Sequence, residues 1–317
     1  MLTVDWSRLT IVSVTHHSAA VIGKSMAAIR SAANIIIVDN ASDDDTLDIV
    51  RRTVPQARII KNIIGTGYGT AANLGMEAAD TEFILTLNPD AFISDAVVAH
   101  LLAAADRYPD AGMLSPAHRS ESGTLTFTHD VDMFQAQLSS TPLSKWGNET
   151  APEGDLCADF VSGAVNLFRK TAIEKIGGFD PKIFLYYDDD DICIRLRKAE
   201  YSIIQVPDAE ICHIDGGSVR PSTGYIWEKY WHYGWSRLYI ERKYRGLFSA
   251  CTLGLRHVFL FGLKCLFRAL LPTAKNRTKA FRDLAKFVGT IAFLLGLRAI
   301  DPDVFAKNSR AREQSST

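Results

Sequence analysis

The chain has 317 residues, 47% hydrophobic and 22% charged, with no low-complexity tract. That excludes a disordered chain and fits one large α/β domain with an accessory segment, or two modest domains. Its 35 Lys and Arg balance 36 Asp and Glu for a formal net charge of -1, so the whole-molecule field gives no reason to expect a nucleic-acid partner. Cys157, Cys193, Cys212, Cys251 and Cys265 form no Cys-x-x-Cys pair and leave an odd count, the pattern of free thiols in a reducing compartment. Met1 to Arg8 lacks a basic-then-apolar signal pattern, and no run reaches the roughly 18 uninterrupted apolar residues of a membrane span. A cytoplasmic protein is the expectation.

Leu9 to Val14 reads as an apolar strand, followed by strands at Ile35 to Val38, Ala57 to Lys61 and Phe83 to Leu87. Helical patterns near 18–31, 43–53, 69–79 and 94–107 alternate with them. Continuous apolar strands between helices predict a mainly parallel sheet covered on both faces. In such folds the carboxyl ends of the strands face the ligand crevice. Thr15-His16, Asp39-Asn40 and Asn88-Pro89-Asp90 all stand at such ends. Residues 115–155 read as an irregular excursion on the acceptor side. Phe160 to Phe168 resumes an apolar pattern around Ser162-Gly163-Ala164, and Gly177 to Pro181 is a strong turn signal. It leads through Phe184 to Asp191 into a helix near 190–200 and a strand at Ser202 to Val206.

Beyond residue 222 the character changes, which divides the chain into residues 1–222 and a helical segment, 223–317. Tyr225 to Tyr244 is helical and aromatic-rich. Leu247 to Leu271 is apolar but interrupted by Arg256, His257, Lys264 and Arg268, and Pro272 ends it. At about 100° per residue, His257, Lys264 and Arg268 share a narrow stripe. A further helix carries Phe281, Leu284, Val288, Ile291 and Leu295 on one side, with Arg277, Arg282 and Lys286 near its start. Such basic amphipathic helices can lie in a membrane interface, or bury their apolar faces in packing or a homodimer.

Individually, the polar residues carry two readings each. Asp90 follows a strand and a Pro, which suits a metal ligand, a helix N-cap or an ordinary turn. Asp39 suits a ribose or base contact, or turn chemistry ahead of the next helix. Asp188 to Asp191 suit an acidic helix start, favoured by the macrodipole, with some carboxylates left facing a cleft. His213, ahead of Gly216-Gly217, reads as a structural imidazole or a ligand.

Several segments in order resemble glycosyltransferase family 2, in particular its rhamnosyltransferase-like bacterial branch that builds cell-surface polysaccharide. They are IVSVTHHS (Ile11 to Ser18), IIIVDNAS (Ile35 to Ser42), Gly67 to Gly75, LTLNPDA (Leu85 to Ala91), Ser162 to Ala164, GGFDPKIFLYYDDDDIC (Gly177 to Cys193) and Val206 through His213. The resemblance covers about residues 9–240. It implies the GT-A fold, a Rossmann-like, mixed but mainly parallel sheet flanked by helices, here with a C-terminal amphipathic helical extension. It implies an inverting, metal-dependent transferase that takes a dTDP- or UDP-sugar to a glycan or lipid-linked acceptor, dTDP-rhamnose being the family-level guess. Asp90 and His213 would hold Mg²⁺ or Mn²⁺. Asp189 would be the general base with Asp188 beside it in the acidic pair. Thr15, His16, Asp39, Asn40, Asn73 and Asn88 would line the donor site.

Four features depart from the family pattern. Asn88 stands where the metal motif has its first Asp, Asp188 where Glu is usual, and His16-His17 where Tyr-Asn is usual. Asn62 is displaced by two residues from its usual place and receives no role. The alternatives are an inactive GT-A-like binding module and, further off, a sugar nucleotidyltransferase. The expected site of action is the cytoplasm, at the inner face of the membrane.

Overall fold

In the computed structural model, residues 4–119, 125–126, 129–130, 133–136, 152–213, 222–270, 273–301 and 303–315 are described. The strands are β1 (Leu9–Thr15), β2 (Asn34–Asn40), β3 (Arg58–Asn62), β4 (Phe83–Leu87), β5 (Ala91–Phe92), β6 (Ala111–Arg119), β7 (Leu125–Thr126), β8 (His129–Asp130), β9 (Leu156–Cys157), β10 (Phe160–Val161), β11 (Val165–Arg169) and β12 (Ser202–His213). The helices are α1 (Ile22–Ala28), α2 (Thr46–Thr53), α3 (Tyr68–Glu77), α4 (Asp95–Arg107), α5 (Met133–Ala136), α6 (Lys170–Ile176), α7 (Asp188–Lys198), α8 (Thr223–Arg245), α9 (Leu247–Ala269), α10 (Ala274–Leu294) and α11 (Asp303–Ser315). They fall into two compact units.

The first unit comprises residues 1–179, 189–219 and 307–317. Its main sheet runs β3-β2-β1-β4-β11-β6-β12-β5. Strands β1 to β4 are parallel, while β11 lies antiparallel between β4 and β6. All seven residues of β1 are buried, because both faces of the sheet are covered. Leu9, Ile11, Ile35, Ile37 and Leu85 pack on one side with Met26 of α1, Val50 of α2 and Leu101 of α4. Their neighbours Val12, Val14, Ile36, Val38 and Ile84 pack on the other with α3, α6 and α7. The period of two splits each apolar run between the two layers. Because β2 and β4 flank β1, the chain reverses its direction of winding there, which opens a crevice at the strands' carboxyl ends.

The irregular excursion expected from residue 115 begins later than the sequence suggests. Strand β6 continues to Arg119 with eight of its nine residues buried. Pro116 disguises it, since Pro lacks a ladder donor. Pro116 pairs with Val206 beside a register shift between Val206 and Glu210, an irregularity that accommodates it. Most of the remaining span to 155 lies outside the described residues.

The second unit comprises residues 180–188 and 220–306. Ser222 caps α8, its hydroxyl accepting from Tyr225 N at 3.0 Å. Gly246, with φ +89°, makes the turn into α9, and Thr273 caps α10. Trp235 and Leu238 of α8, Ala250 of α9 and Ala292 and Phe293 of α10 form its apolar core. Residues 180–187 are fastened to α8. Asp180 Oδ2 accepts from Tyr239 Oη at 2.8 Å and Lys243 Nζ at 2.6 Å, Ser236 Oγ donates to Leu185 O at 3.0 Å, and Phe184 stacks on His232. Residues Leu247–Arg268, with a mean hydropathy of 1.4, are long and apolar enough to cross a membrane by length and composition, although charged residues interrupt the run.

Candidate active site

The carboxyl ends of β1 and β2 form one side of the crevice. Asp39 is fully buried. Its Oδ1 accepts from Thr15 Oγ1 at 3.1 Å and its Oδ2 from Ser42 N at 3.2 Å. The cap ahead of α2 is supplied instead by Asp44, whose Oδ1 accepts from Thr46 N. His16 donates from Nδ1 to Asn40 O at 2.9 Å, since a carbonyl oxygen can only accept. Asn40 is a hub. Its Oδ1 accepts from Asn62 Nδ2 at 3.1 Å and Thr66 N at 3.0 Å, and its Nδ2 donates to Gly67 O at 3.4 Å.

The other side is built where β4 ends. Asn88 N donates to Ala164 O at 2.9 Å, and Ala91 N to Asn88 O at 3.0 Å, so Asn88-Pro89-Asp90 forms a tight corner. Asp90 is 3% exposed. Helix α4 starts five residues later behind Ser94, so Asp90 is not its cap. Strand β12 then returns antiparallel to β5, with His213 in register with Ala91. The pairing thus places residue 213 opposite the residue that follows Asp90. The side chain of His213 lies outside the described residues.

Glycine decides the third part. Gly163 N donates to Asp189 Oδ2 at 3.2 Å, and a methyl group on residue 163 would overlap the Asp189 carboxylate. Only glycine lets the carboxylate sit directly on that backbone, one residue from the Ala164 carbonyl that holds Asn88. Asp189, Asn88 and Asp90 therefore share one corner of the first unit.

The four consecutive acids differ in their surroundings. Asp191 is fully buried and accepts from Arg195 Nε at 2.7 Å, while Arg195 Nη1 donates to Ile176 O. It ties α7 to the end of α6. Asp188 is buried at the start of α7, and Asp190 is half-buried. Tyr186 and Tyr187 precede them with φ of 67° and 66°. Two successive aromatic residues in the left-handed region are strained, a cost that concentrates at functional sites. Burial and the nearby Tyr230 and Tyr233 push the Tyr186 phenol up, so it remains a neutral hydroxyl at physiological pH.

A divalent cation suits the Asp90 corner, where strand pairing sets an imidazole-bearing residue opposite the residue that follows a buried carboxylate. Hard oxygen and nitrogen donors of this kind suit Mg²⁺ or Mn²⁺ once phosphate oxygens complete the set. Among the described residues no three His, Cys, Asp or Glu side chains gather to hold a cation.

The family model of "Glycosyl transferase family 2" matches residues 10–177, more than half of the chain. The chain belongs to glycosyltransferase family 2. Over 231 residues it is 27% identical to the N-acetylglucosaminyl-diphospho-decaprenol L-rhamnosyltransferase of Mycobacterium tuberculosis, a match covering 65% of this chain and 75% of that protein. The mannosyltransferase PcManGT of Pyrobaculum calidifontis, solved with GDP-Man and Mn²⁺, superposes over 91% of this chain and 87% of its own at 16% identity and a TM-score of 0.52. GalNAc-T7, solved with UDP, GalNAc and Mn²⁺, matches 69% of this chain but only 47% of its own, at 14% identity and a TM-score of 0.51. The fold these structures share is GT-A.

In this glycosyltransferase the sequence left three residues linked to Asn40 or to the loop beside it without a role: Asn62, Asn308 and Arg312. Asn62 is fully buried and links Asn40 to the C-terminus, because Arg312 Nη1 donates to Asn62 Oδ1 at 2.6 Å. Asn308, 1% exposed, accepts at Oδ1 from Ile63 N and Ile64 N at 2.9 and 3.0 Å and donates from Nδ2 to Ile64 O at 2.8 Å. No periodicity signals such pairings, which join residues some 245 positions apart. Asn73 was expected at the donor. Its amide exchanges two bonds with the Phe179 backbone, Nδ2 to Phe179 O at 2.8 Å and Phe179 N to Oδ1 at 2.7 Å. Gly178, with φ +69°, lies so close to Asn73 that a side chain there would overlap the amide. In this state Asn73 anchors the Gly177-Gly178-Phe179 turn.

Proposed function

We propose that this enzyme transfers L-rhamnose from a dTDP- or UDP-linked donor to a glycan carried on a polyprenyl diphosphate lipid, in the synthesis of a cell-surface polysaccharide. The activity named for the Mycobacterium relative supports the donor sugar and acceptor class. One observation carries the reaction type: the Asp189 carboxylate rests on Gly163 N in the corner that also holds Asn88 and Asp90. That corner puts a candidate base beside the strand end at which a leaving diphosphate would be bound.

In this reading Asp189 accepts the proton of the acceptor hydroxyl as that oxygen attacks the anomeric carbon from the face opposite the diphosphate. One displacement inverts the configuration. Asp188 completes the acidic pair at the head of α7. Thr15, His16, Asp39 and Asn40 contact the base and ribose, Asn88 reaches the diphosphate, and Asn73 positions the adjoining turn. Asp90 and His213 would hold Mg²⁺ or Mn²⁺, whose charge would offset that gathering on the leaving group. The enzyme works in the cytoplasm at the inner face of the membrane, where a lipid-linked acceptor is presented.

The test is to incubate the purified protein with dTDP-L-rhamnose and N-acetylglucosaminyl-diphospho-polyprenol, with Mg²⁺, Mn²⁺ or EDTA. Metal-dependent transfer with the opposite anomeric configuration is expected. Donor binding without turnover would indicate an inactive binding module. Formation of nucleotide sugar from nucleoside triphosphate and sugar phosphate would indicate a nucleotidyltransferase.

A further inference from the structure

Helix α9 has its polarity turned against water. Phe248, Leu255, Phe259, Leu266, Phe267 and Leu270 are each between 65% and 84% exposed. At 100° per residue they fall within an arc of about 120° and run for about 33 Å along the helix. Two members of the polar stripe, His257 and Arg268, face into the second unit, while Lys264 stays exposed. Arg268 pairs with Asp283 of α10, and His257 is half-buried with its ring 5.0 Å from that of Phe261. Ser249 Oγ donates to Glu241 of α8, which is itself buried against Arg237. A helix covering a water-soluble core would have the opposite arrangement, and a contiguous exposed apolar patch of this length marks a contact surface.

Charge indicates what covers it. Residues 242–282 hold ten Lys and Arg and no Asp or Glu. Arg242, Arg245, Arg256, Lys264, Lys275 and Arg277 are exposed around the stripe and at its two ends. A second copy docking stripe to stripe would set this positive field against itself. An anionic lipid surface meets both the apolar stripe and its basic border. Crossing the bilayer would carry the Arg268–Asp283 pair and the basic start of α10 into or through the hydrocarbon, at a high cost. Lying in the plane inserts mostly Leu and Phe, and Arg256, exposed near the edge of the same arc, can carry its charge out to the headgroups on its long stem.

We propose that α9 lies flat in an anionic phospholipid surface, its exposed Leu and Phe stripe reaching the acyl boundary. The full-length protein would be floated with phosphatidylcholine vesicles, with and without phosphatidylglycerol. Binding only to the anionic vesicles, reversed by high salt or alkaline carbonate, is expected. The paired substitution Phe259→Asp with Leu266→Asp, both at exposed positions, should cut the bound fraction at least about tenfold while melting temperature and nucleotide binding stay unchanged. Charge reversal at Lys275 and Arg277 should weaken anionic binding and flatten its salt dependence. The proposal is overturned if the paired variant binds like the wild type, or if the protein resists carbonate extraction. It is equally overturned if the protein ignores vesicles and forms a dimer that the paired variant splits. Vesicle binding involves no sugar transfer, so its failure would leave the proposed reaction standing.

Discussion

Arg312, in the last helix, donates to Asn62 Oδ1 at 2.6 Å across 250 positions of sequence. Asn62 passes the contact to Asn40, and Asn40 holds Thr66 and Gly67 at the head of α3. Arg312 thereby steadies the loop around Thr66 and Gly67, which the proposed function places beside the nucleotide sugar. Arg312→Ala should raise the KM for the nucleotide sugar about tenfold, the size of one charge-assisted hydrogen bond, and leave kcat within about twofold. Arg312→Lys should recover part of the loss. Equal falls in kcat and kcat/KM would argue against a positioning role on the donor side.

Gly163 is predicted to be irreplaceable for turnover and dispensable for folding. Gly163→Ala places a methyl group where the Asp189 carboxylate sits. Displacing a base by about 1 Å can cost about a hundredfold in rate. Steady-state kinetics with a thermal unfolding control would check this, and a fully active alanine variant would separate Gly163 from the chemistry.

Metal dependence is predicted to follow the strand pairing of β5 with β12. EDTA should abolish transfer and added Mn²⁺ or Mg²⁺ restore it. His213→Ala and Asp90→Asn should each raise the half-saturating metal concentration, by about 10- to 100-fold. Titrations of transfer against free Mn²⁺ would measure the shift.

The second unit should weaken in acid. Burial lowers the pKa of both His232 and His257 to about 4 from 6.5. Between these values the unfolded chain takes up protons that the folded chain does not. Stability therefore falls as pH drops from about 6.5 towards 4 and levels off below it. His232→Phe should flatten the slope, measured as melting temperature against pH.

The parallel half of the fold was legible because β1, β2 and β4 are buried on both faces and so appear as largely apolar runs. Phe83 to Leu87 matches its observed bounds. Strand β6 was not read at all, and its second half fell in the span expected to be irregular, because Pro116 argues against a central strand and the irregular register beside it is a property of the paired strands. Helix α11 was missed because what fixes it, Asn308 on the Ile63 and Ile64 backbone, joins residues some 245 positions apart. For the site, strand-end position singled out Asp39 and Asp90. Among the four acids, the resemblance alone picked out Asp189; what the sequence did not show is that Asp189 lies on Gly163 N and that Asp191 pairs with Arg195.

The most direct measurement compares Asp189→Asn with the wild type, reading sugar transfer and donor affinity on the same preparations. A loss of about 10²- to 10⁴-fold in kcat, with nucleotide-sugar binding and melting temperature unchanged, is the predicted result. Turnover at the wild-type rate would contradict the assignment of Asp189 as the base.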